Sequence, residues 1–417
     1  MFKYITTAIL CLMAIPFLTF GQLSERGTPP SFDYELTQKP AVEIMPTVDI
    51  DKLKEEDIEA AKFNNPLRFA FGHKVNFNLN NSGTWETLPN GDRVWRLRIQ
   101  CPDALSINFL YSDFHLPKGG QFFIYNADGS EVLGAFTEKN NKANRKFATA
   151  LVNDEIVTLE YFEPVAVKGQ SSIEIAQVAH GYRPFGDLNG APEGPCQVNV
   201  NCSPEGDDWQ DEKKGVAKII MDGLYLCSGS LINNTGNDCK PYFLTANHCI
   251  MGGVVQDAII NPDVSGYVFY WNYEYAGCAN SGGLPNQTTN GGTVVANTGV
   301  ATTGTHITLG SDFALIELDE TPVGQYNVYF NGFDAGGNQG NTGVGIHHPG
   351  GDPKKISTHH KVPFKDGYYW ELYWDQTPNG FAVTEGGSSG SPLFRETSLI
   401  IGQLYGGSSI NCDDPAA

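Results

Sequence analysis

Apolar and polar side chains alternate along much of this chain, and that period of two is its main regularity. Val94-Trp95-Arg96-Leu97-Arg98-Ile99, Gln121-Phe122-Phe123-Ile124-Tyr125 and Ile156-Val157-Thr158-Leu159-Glu160-Tyr161 read as strands, because successive side chains on an extended backbone point to opposite faces. Asn90-Gly91 and Asp128-Gly129 punctuate these runs and predict tight turns, since both dipeptides tolerate positive φ. A helical period is convincing only around Asp51 to Lys62. In the second half strand-like runs recur at short spacing: Val216 to Met221, Leu224 to Ile232, Tyr242 to Ala246, Tyr267 to Tyr273, Gly292 to Ala296, Phe313 to Leu318, Val328 to Phe333, Tyr368 to Trp374 and Ser398 to Leu404. The expected fold is mainly β, a β-sandwich-like first part followed by a double antiparallel β-barrel with a site between the barrels.

Length and composition refine that picture. The 417 residues suffice for two domains that each bury a core. Residues 1–21 carry Lys3, an apolar run from Tyr4 to Phe20 and small residues at its end, the layout of an export signal. The run is shorter than the roughly 20 residues that span a bilayer, so no membrane association is expected once it is removed. The product is placed outside the cytoplasm, secreted or periplasmic. A β-rich domain is expected over 22–183, read as a prosegment from its position after the signal, ahead of a sugar- or protein-binding module or a plain structural domain. A Gly/Pro/Asn-rich linker and processing region follows over 184–195, then the main domain over 196–417. The linker holds no lysine, so self-cleavage there after lysine is not assumed, and Arg183 is the basic residue nearest to it. The net charge is −20, most of it beyond residue 190, which argues against nucleic-acid partners and mainly keeps an exported protein soluble.

The candidate chemistry centres on Glu385-Gly386-Gly387-Ser388-Ser389-Gly390-Ser391-Pro392, a serine held between glycines before a Pro-led apolar run. A serine hydroxyl becomes a nucleophile only when a histidine takes its proton, and that histidine needs a carboxylate to fix its tautomer. His248, delivered by Phe243-Leu244-Thr245-Ala246-Asn247, and Asp312, leading Phe313-Ala314-Leu315-Ile316-Glu317-Leu318, supply the partners. The order His248, Asp312, Ser389 is that of chymotrypsin-like barrels, not of subtilisins or α/β-hydrolases. The backbone N–H groups of Gly387 and Ser389 are candidates for an oxyanion hole. Singly, each feature has a plain structural reading. Gly-Ser-Ser-Gly can be a flexible turn, His248 a core histidine and Asp312 a strand-end cap. Ser388 and Ser391 are rival nucleophiles, but Ser389 alone has the flanking glycine and the proline at the expected offset. The pairs His347-His348 and His359-His360 invite a metal, but neighbours on a strand point apart and rarely share an ion. Neither a metal nor another cofactor is expected.

Cys227-Ser228-Gly229-Ser230-Leu231, Tyr242 to Cys249, Tyr270-Trp271-Asn272-Tyr273, Ile346-His347-His348-Pro349, Thr384 to Pro392 and Gly402-Gln403-Leu404 together resemble the bacterial lysyl endopeptidases, a branch of the trypsin-like serine proteases. The resemblance covers about Gly194 to Cys412, and the first part is similar to the prosegment of that group. It implies a secreted serine endopeptidase that cleaves protein or peptide substrates after Lys or another basic residue. It also implies a chymotrypsin-like double barrel and the disulfides Cys196–Cys412, Cys202–Cys278 and Cys227–Cys249, with Cys239 left over. Against trypsin itself, Ser388 stands where an aspartate usually receives the freed N-terminus, so another device must order the turn. Val383 stands where the pocket acid would be. Asp413 and Asp414 lie beyond the last cysteine, where the family places its acid, and the second barrel reads as cut short. A different reading is a non-catalytic binding or adhesion protein on a protease scaffold, which predicts an impaired triad.

Overall fold

A computed structural model describes residues 24–25, 27–61, 65–184, 194–250, 262–283, 287–298, 310–407 and 412. The expected signal, most of the linker, and Asp413 and Asp414 lie outside the described residues. The protein is mainly β. No described helix is long and apolar enough to cross a membrane.

The first half stacks two sheets. One is six-stranded and centred on Arg93–Gln100, Ile156–Glu163 and Gln121–Asn126; the other is four-stranded and built on Ala70–Asn78, Ser172–Gly181 and Ser106–His115. Trp95, Leu97, Phe109, Phe122 and Leu159 fill the space between them. The one long helix here, Ile50–Ala61, matches the predicted segment, and Asp49 Oδ1 accepts the Lys52 N–H at its start, 3.1 Å away.

In the second half, the strands Gln287–Asn290, Val268–Trp271, Val216–Met221, Tyr225–Ile232, Tyr242–Ala246, Phe313–Leu318 and Gly292–Asn297 lie side by side in that order. Leu67–Arg68 from the first half adds an eighth strand, pairing with Tyr225–Ile232. A four-stranded sheet, Lys355–His359, Gly343–His347, Pro392–Arg395 and Ile400–Gln403, packs nearby. Every residue of Val216–Met221 is buried because its two faces meet two cores. Ile219 and Met221 join Phe243, Phe269, Trp271 and Ile316, whereas Ile220 joins the core of the first half with Leu226, Val268 and Tyr270. The two halves therefore share one continuous apolar cluster, and Tyr270 accepts the Leu151 N–H across it at 2.8 Å.

Two expected strands are not regular ladders. Val328 to Phe333 makes only single bridges, Asn331 to Ile232 and Phe333 to Ile400, and Asn331 instead donates its side-chain amide to the Glu212 carbonyl and the Ser230 hydroxyl. Tyr368 to Trp374 contributes one arm of a short hairpin, Phe364–Asp366 with Tyr369–Glu371. Conversely, Gly343–His347 is a central strand that its glycines disguise. A β-carbon on Gly345 would lie 2.8 Å from Trp374, so glycine is needed for the close approach.

Candidate active site

The Tyr242–Ala246 and Phe313–Leu318 strands pair antiparallel with Ala246 opposite Phe313. That register brings Asp312, at the start of one strand, beside the turn Asn247–Ile250 at the end of the other. Asp312 is fully buried with φ near +53°, and the strain is held by four bonds to its own backbone and carboxylate. Its carbonyl accepts the Asn247 N–H at 2.7 Å, Oδ1 accepts the His248 N–H at 2.9 Å, and Oδ2 faces His248 Nδ1 at 2.6 Å. The carbonyl also takes the Gln403 side-chain amide at 2.9 Å. A carboxylate can only accept, so Nδ1 carries a proton, and in the neutral imidazole Nε2 is then the lone pair. His248 Nε2 is buried and has no hydrogen-bond partner, which leaves a base without an assigned proton.

The Gly-rich turn is fastened to the Tyr225–Ile232 strand. Ser228 N–H donates to the Ser389 carbonyl at 2.8 Å and Ser228 Oγ to the Gly387 carbonyl at 2.9 Å. Gly387 has φ near +94°, and a β-carbon there would lie 2.9 Å from the His348 carbonyl, so a side chain fits neither the conformation nor the space. Within the turn, the N–H groups of Ser388, Gly390 and Ser391 find carbonyl acceptors. Those of Gly387 and Ser389 have none among the described residues, as donors held for an incoming oxygen would be. Ser388 and Ser391 are buried, whereas Ser389 is partly exposed. Ser389 Oγ is not hydrogen-bonded to His248 Nε2. The two residues are neighbours through the Cys227–Cys249 disulfide, whose Cys249 Sγ lies 3.7 Å from the Ser389 carbonyl.

Ser388 belongs to a buried relay. Its hydroxyl oxygen accepts the Glu385 N–H at 3.1 Å and lies 2.7 Å from His347 Nδ1, while His347 Nε2 lies 2.8 Å from Ser357 Oγ. Ser357 donates onward to the Ala382 carbonyl. One proton arrangement satisfies every link. Ser357 gives its proton to Ala382 and so accepts from Nε2–H; His347 Nδ1 is then a lone pair, and Ser388 O–H donates to it. Burial, helped by the Lys355 charge, pushes the His347 imidazole down to about 3, so the ring is neutral in the range where proteins are stable.

Cys227, His248 and Cys249 place ligand atoms within 4.8 Å of one another, but the two sulfurs form a disulfide and are not thiolates. The other two disulfides join Cys196 to Cys412 and Cys202 to Cys278, leaving Cys101 buried and Cys239 exposed as free thiols among the described cysteines. His348 Nδ1 faces the Asp352 carbonyl at 2.8 Å and His359 Nδ1 the Lys361 carbonyl at 2.9 Å, so in each pair one ring is committed to its own loop. Val383 is buried, with its carbonyl taking the Gln197 side-chain amide at 2.7 Å. Tyr405 stands edge-on to His248, ring centres 6.3 Å apart, and stacks on Tyr369 at 5.1 Å. Ser228, Ser357 and Gln403 were not singled out in sequence. Each acts through backbone groups distant in the chain, and only the motif surrounding Ser228 and Gln403 offered any signal.

A histidine–carboxylate pair beside a glycine-bounded serine turn is an arrangement that serine peptidases use. The chain belongs to the lysyl endopeptidase family: residues 191–417 match the family described as "Lysyl endopeptidase, C-terminal domain". Over 358 residues it is 28% identical to the lysyl endopeptidase of Pseudomonas aeruginosa strain PAO1, an alignment covering 80% of this chain and 72% of that protein. Among solved structures it is similar to a Glu endopeptidase, with 18% identity, a TM-score of 0.30, and coverage of 51% of this chain and 85% of the other. The inactive form of the Rv3671c protease of M. tuberculosis gives 14% identity and a TM-score of 0.30, covering 48% and 82%. Overlaps of that size say nothing further about activity.

Proposed function

We propose that this protein is a secreted serine endopeptidase with a chymotrypsin-like double barrel over 196–417, working through an acyl-enzyme on Ser389. The observation that carries the reading is the 2.6 Å contact of His248 Nδ1 with buried Asp312, which leaves Nε2 without a hydrogen-bond partner and available as the base for Ser389. In the reaction Nε2 takes the Ser389 proton as Oγ attacks the substrate carbonyl. The Gly387 and Ser389 N–H groups hold the oxyanion, and the imidazolium then protonates the departing amine as the C–N bond breaks. Water repeats the sequence on the ester. Residues 22–183 act as a prosegment and 184–195 as the processing region. Cleavage after Lys or another basic residue is proposed from the name of the Pseudomonas relative.

A fluorophosphonate is expected to label Ser389 alone in the processed protein, and Ser389→Ala to lower kcat by several orders of magnitude. Label on Ser388 or Ser391, or none on a folded and processed protein, would favour the non-catalytic binding protein instead. Mass-spectrometric mapping of cut sites in a denatured protein mixture reads the residue preference.

A further inference from the structure

Lys218 stands in the middle of Val216–Met221, and its side chain is buried with the rest of that strand. An amine taken so far out of water needs partners for its charge. Its Nζ donates to the Gly351 carbonyl at 3.1 Å and lies over two aromatic faces, 3.7 Å from the ring centre of Tyr273 and 4.8 Å from that of Tyr270. Asp352, also buried, supplies the opposite charge that favours the ammonium form.

Gly351 belongs to the loop from His348 to Asp352, which lies against the serine turn. The Gly350 N–H donates to the Gly386 carbonyl at 2.7 Å. A β-carbon on Gly387 would lie 2.9 Å from the His348 carbonyl and 3.2 Å from the Gly351 nitrogen. The His348 N–H donates to Ser228 Oγ at 3.0 Å, and that hydroxyl donates in turn to the Gly387 carbonyl. Gly350 and Gly351 both have positive φ, so the loop's shape is set by its bonds more than by its sequence. Two neighbouring glycines thus serve different ends: the Gly350 N–H fixes the turn, and the Gly351 carbonyl is fixed by Lys218.

We propose that Lys218 is a positioning residue for the reaction. Its positive charge holds the loop from His348 to Asp352 where the turn presents the N–H groups of Gly387 and Ser389, and loss of its proton slows attack by Ser389. A neutral amine can still donate to the Gly351 carbonyl, but it gives up its attraction to Asp352 and to the two ring faces. The other groups around it are committed elsewhere. Lys354 Nζ donates to the Lys213 carbonyl at 2.6 Å and to Glu274 Oε2 at 3.0 Å, and Glu274 also pairs with Lys213 at 2.8 Å. Burial holds the His348 imidazole well below its usual range and so uncharged, and its Nδ1–H donates to the Asp352 carbonyl. Burial raises the Tyr270 hydroxyl, which accepts the Leu151 N–H. Burial also pulls the Lys218 ammonium down to about 7 against the pull of Asp352, so its charge is present below that pH and lost above it.

This inference rests on the protease reading, and the test separates the two. The full-length chain is expressed and processed, and the rate at which a fluorophosphonate labels Ser389 is followed from about pH 5 to 10. In wild type the rate is expected to rise as the His248 base loses its proton, then to fall about tenfold as Lys218 loses its own. Lys218→Met keeps the length of the side chain without the charge. It is expected to label about tenfold more slowly than wild type at low pH and to show no fall at high pH. Lys218→Gln, which keeps a donor but no charge, serves with the same expectation if the methionine variant does not fold. A fall at high pH that persists in the variant, or is absent from wild type, overturns the proposal and leaves the protease. A variant that melts at lower temperature but keeps the wild-type labelling profile assigns Lys218 to stability alone and also overturns it. Absence of label on Ser389 in folded, processed wild type at every pH defeats both readings.

Discussion

Ser388 shows how one side chain can do by neutral hydrogen bonding what a buried ion pair does in trypsin-like enzymes. Its hydroxyl ties the Glu385 N–H to a histidine that burial keeps uncharged, and through Ser357 the link continues to Ala382. Ser388→Ala strands the Glu385 N–H and the His347 lone pair in the interior. The expected stability loss is about 1–3 kcal/mol, seen in denaturant melts. Because the turn holds the proposed oxyanion donors, kcat is expected to fall about tenfold or more with KM little changed. Ser388→Asp sets a carboxylate against His347 and draws a proton onto the ring, so its kcat is expected to become dependent on pH in a range where the neutral ring of wild type adds no dependence. The candidate triad was legible in the sequence because each member stands in a distinctive local context. The relay was not, since His347 reads as half of a metal-like pair and Ser357 as an ordinary strand residue.

At the scale of elements, the turn from Glu385 to Ser391 depends on Gly387 and Gly390, both at positive φ and both without room for a side chain. Gly387 provides positive φ beneath the His348 carbonyl, while a β-carbon at Gly390 would come within 2.5 Å of the Ser228 carbonyl. Gly387→Ala is expected to keep the far-ultraviolet circular dichroism of wild type but to lower kcat about 10²–10³-fold, the cost of losing one oxyanion donor. A loss confined to KM would argue that Gly387 N–H is not such a donor. Strands with clean alternation, such as Arg93–Gln100 and Phe313–Leu318, were read with nearly their observed limits. Val216–Met221 was found despite its weak alternation, but its double burial could not be foreseen, because the second core comes from the other half of the chain. Gly343–His347 was missed because glycine is a turn signal locally and a packing device here.

Across the whole molecule, buried histidines in both halves couple stability to acid. His180 is pushed down to about 4 and His347 to about 3, in each case by burial first, whereas unfolded histidine titrates near 6.5. Between those values the unfolded chain binds more protons than the folded one, so stability rises with pH there. The contribution is complete above about pH 6.5 and is lost as pH falls toward 4 and 3. Thermal melts at pH 7.5, 5.5 and 4 are expected to show a falling Tm. His180→Phe, at a ring with both nitrogens unpartnered, is expected to flatten the slope. An unchanged slope would assign acid sensitivity to other groups. The sequence by itself determined the mainly β class, the candidate His248, Asp312 and Ser389, and the family, because alternation, turn chemistry and motif context are written in neighbouring residues. Only the tertiary structure decided which groups share a strand edge, why Ser388 needs no charge, and that Leu67 pairs with Leu226 and packs against Gly386 of the Gly-rich turn. Those depend on contacts between segments far apart in the chain, where backbone direction and burial, not residue identity, choose the partner.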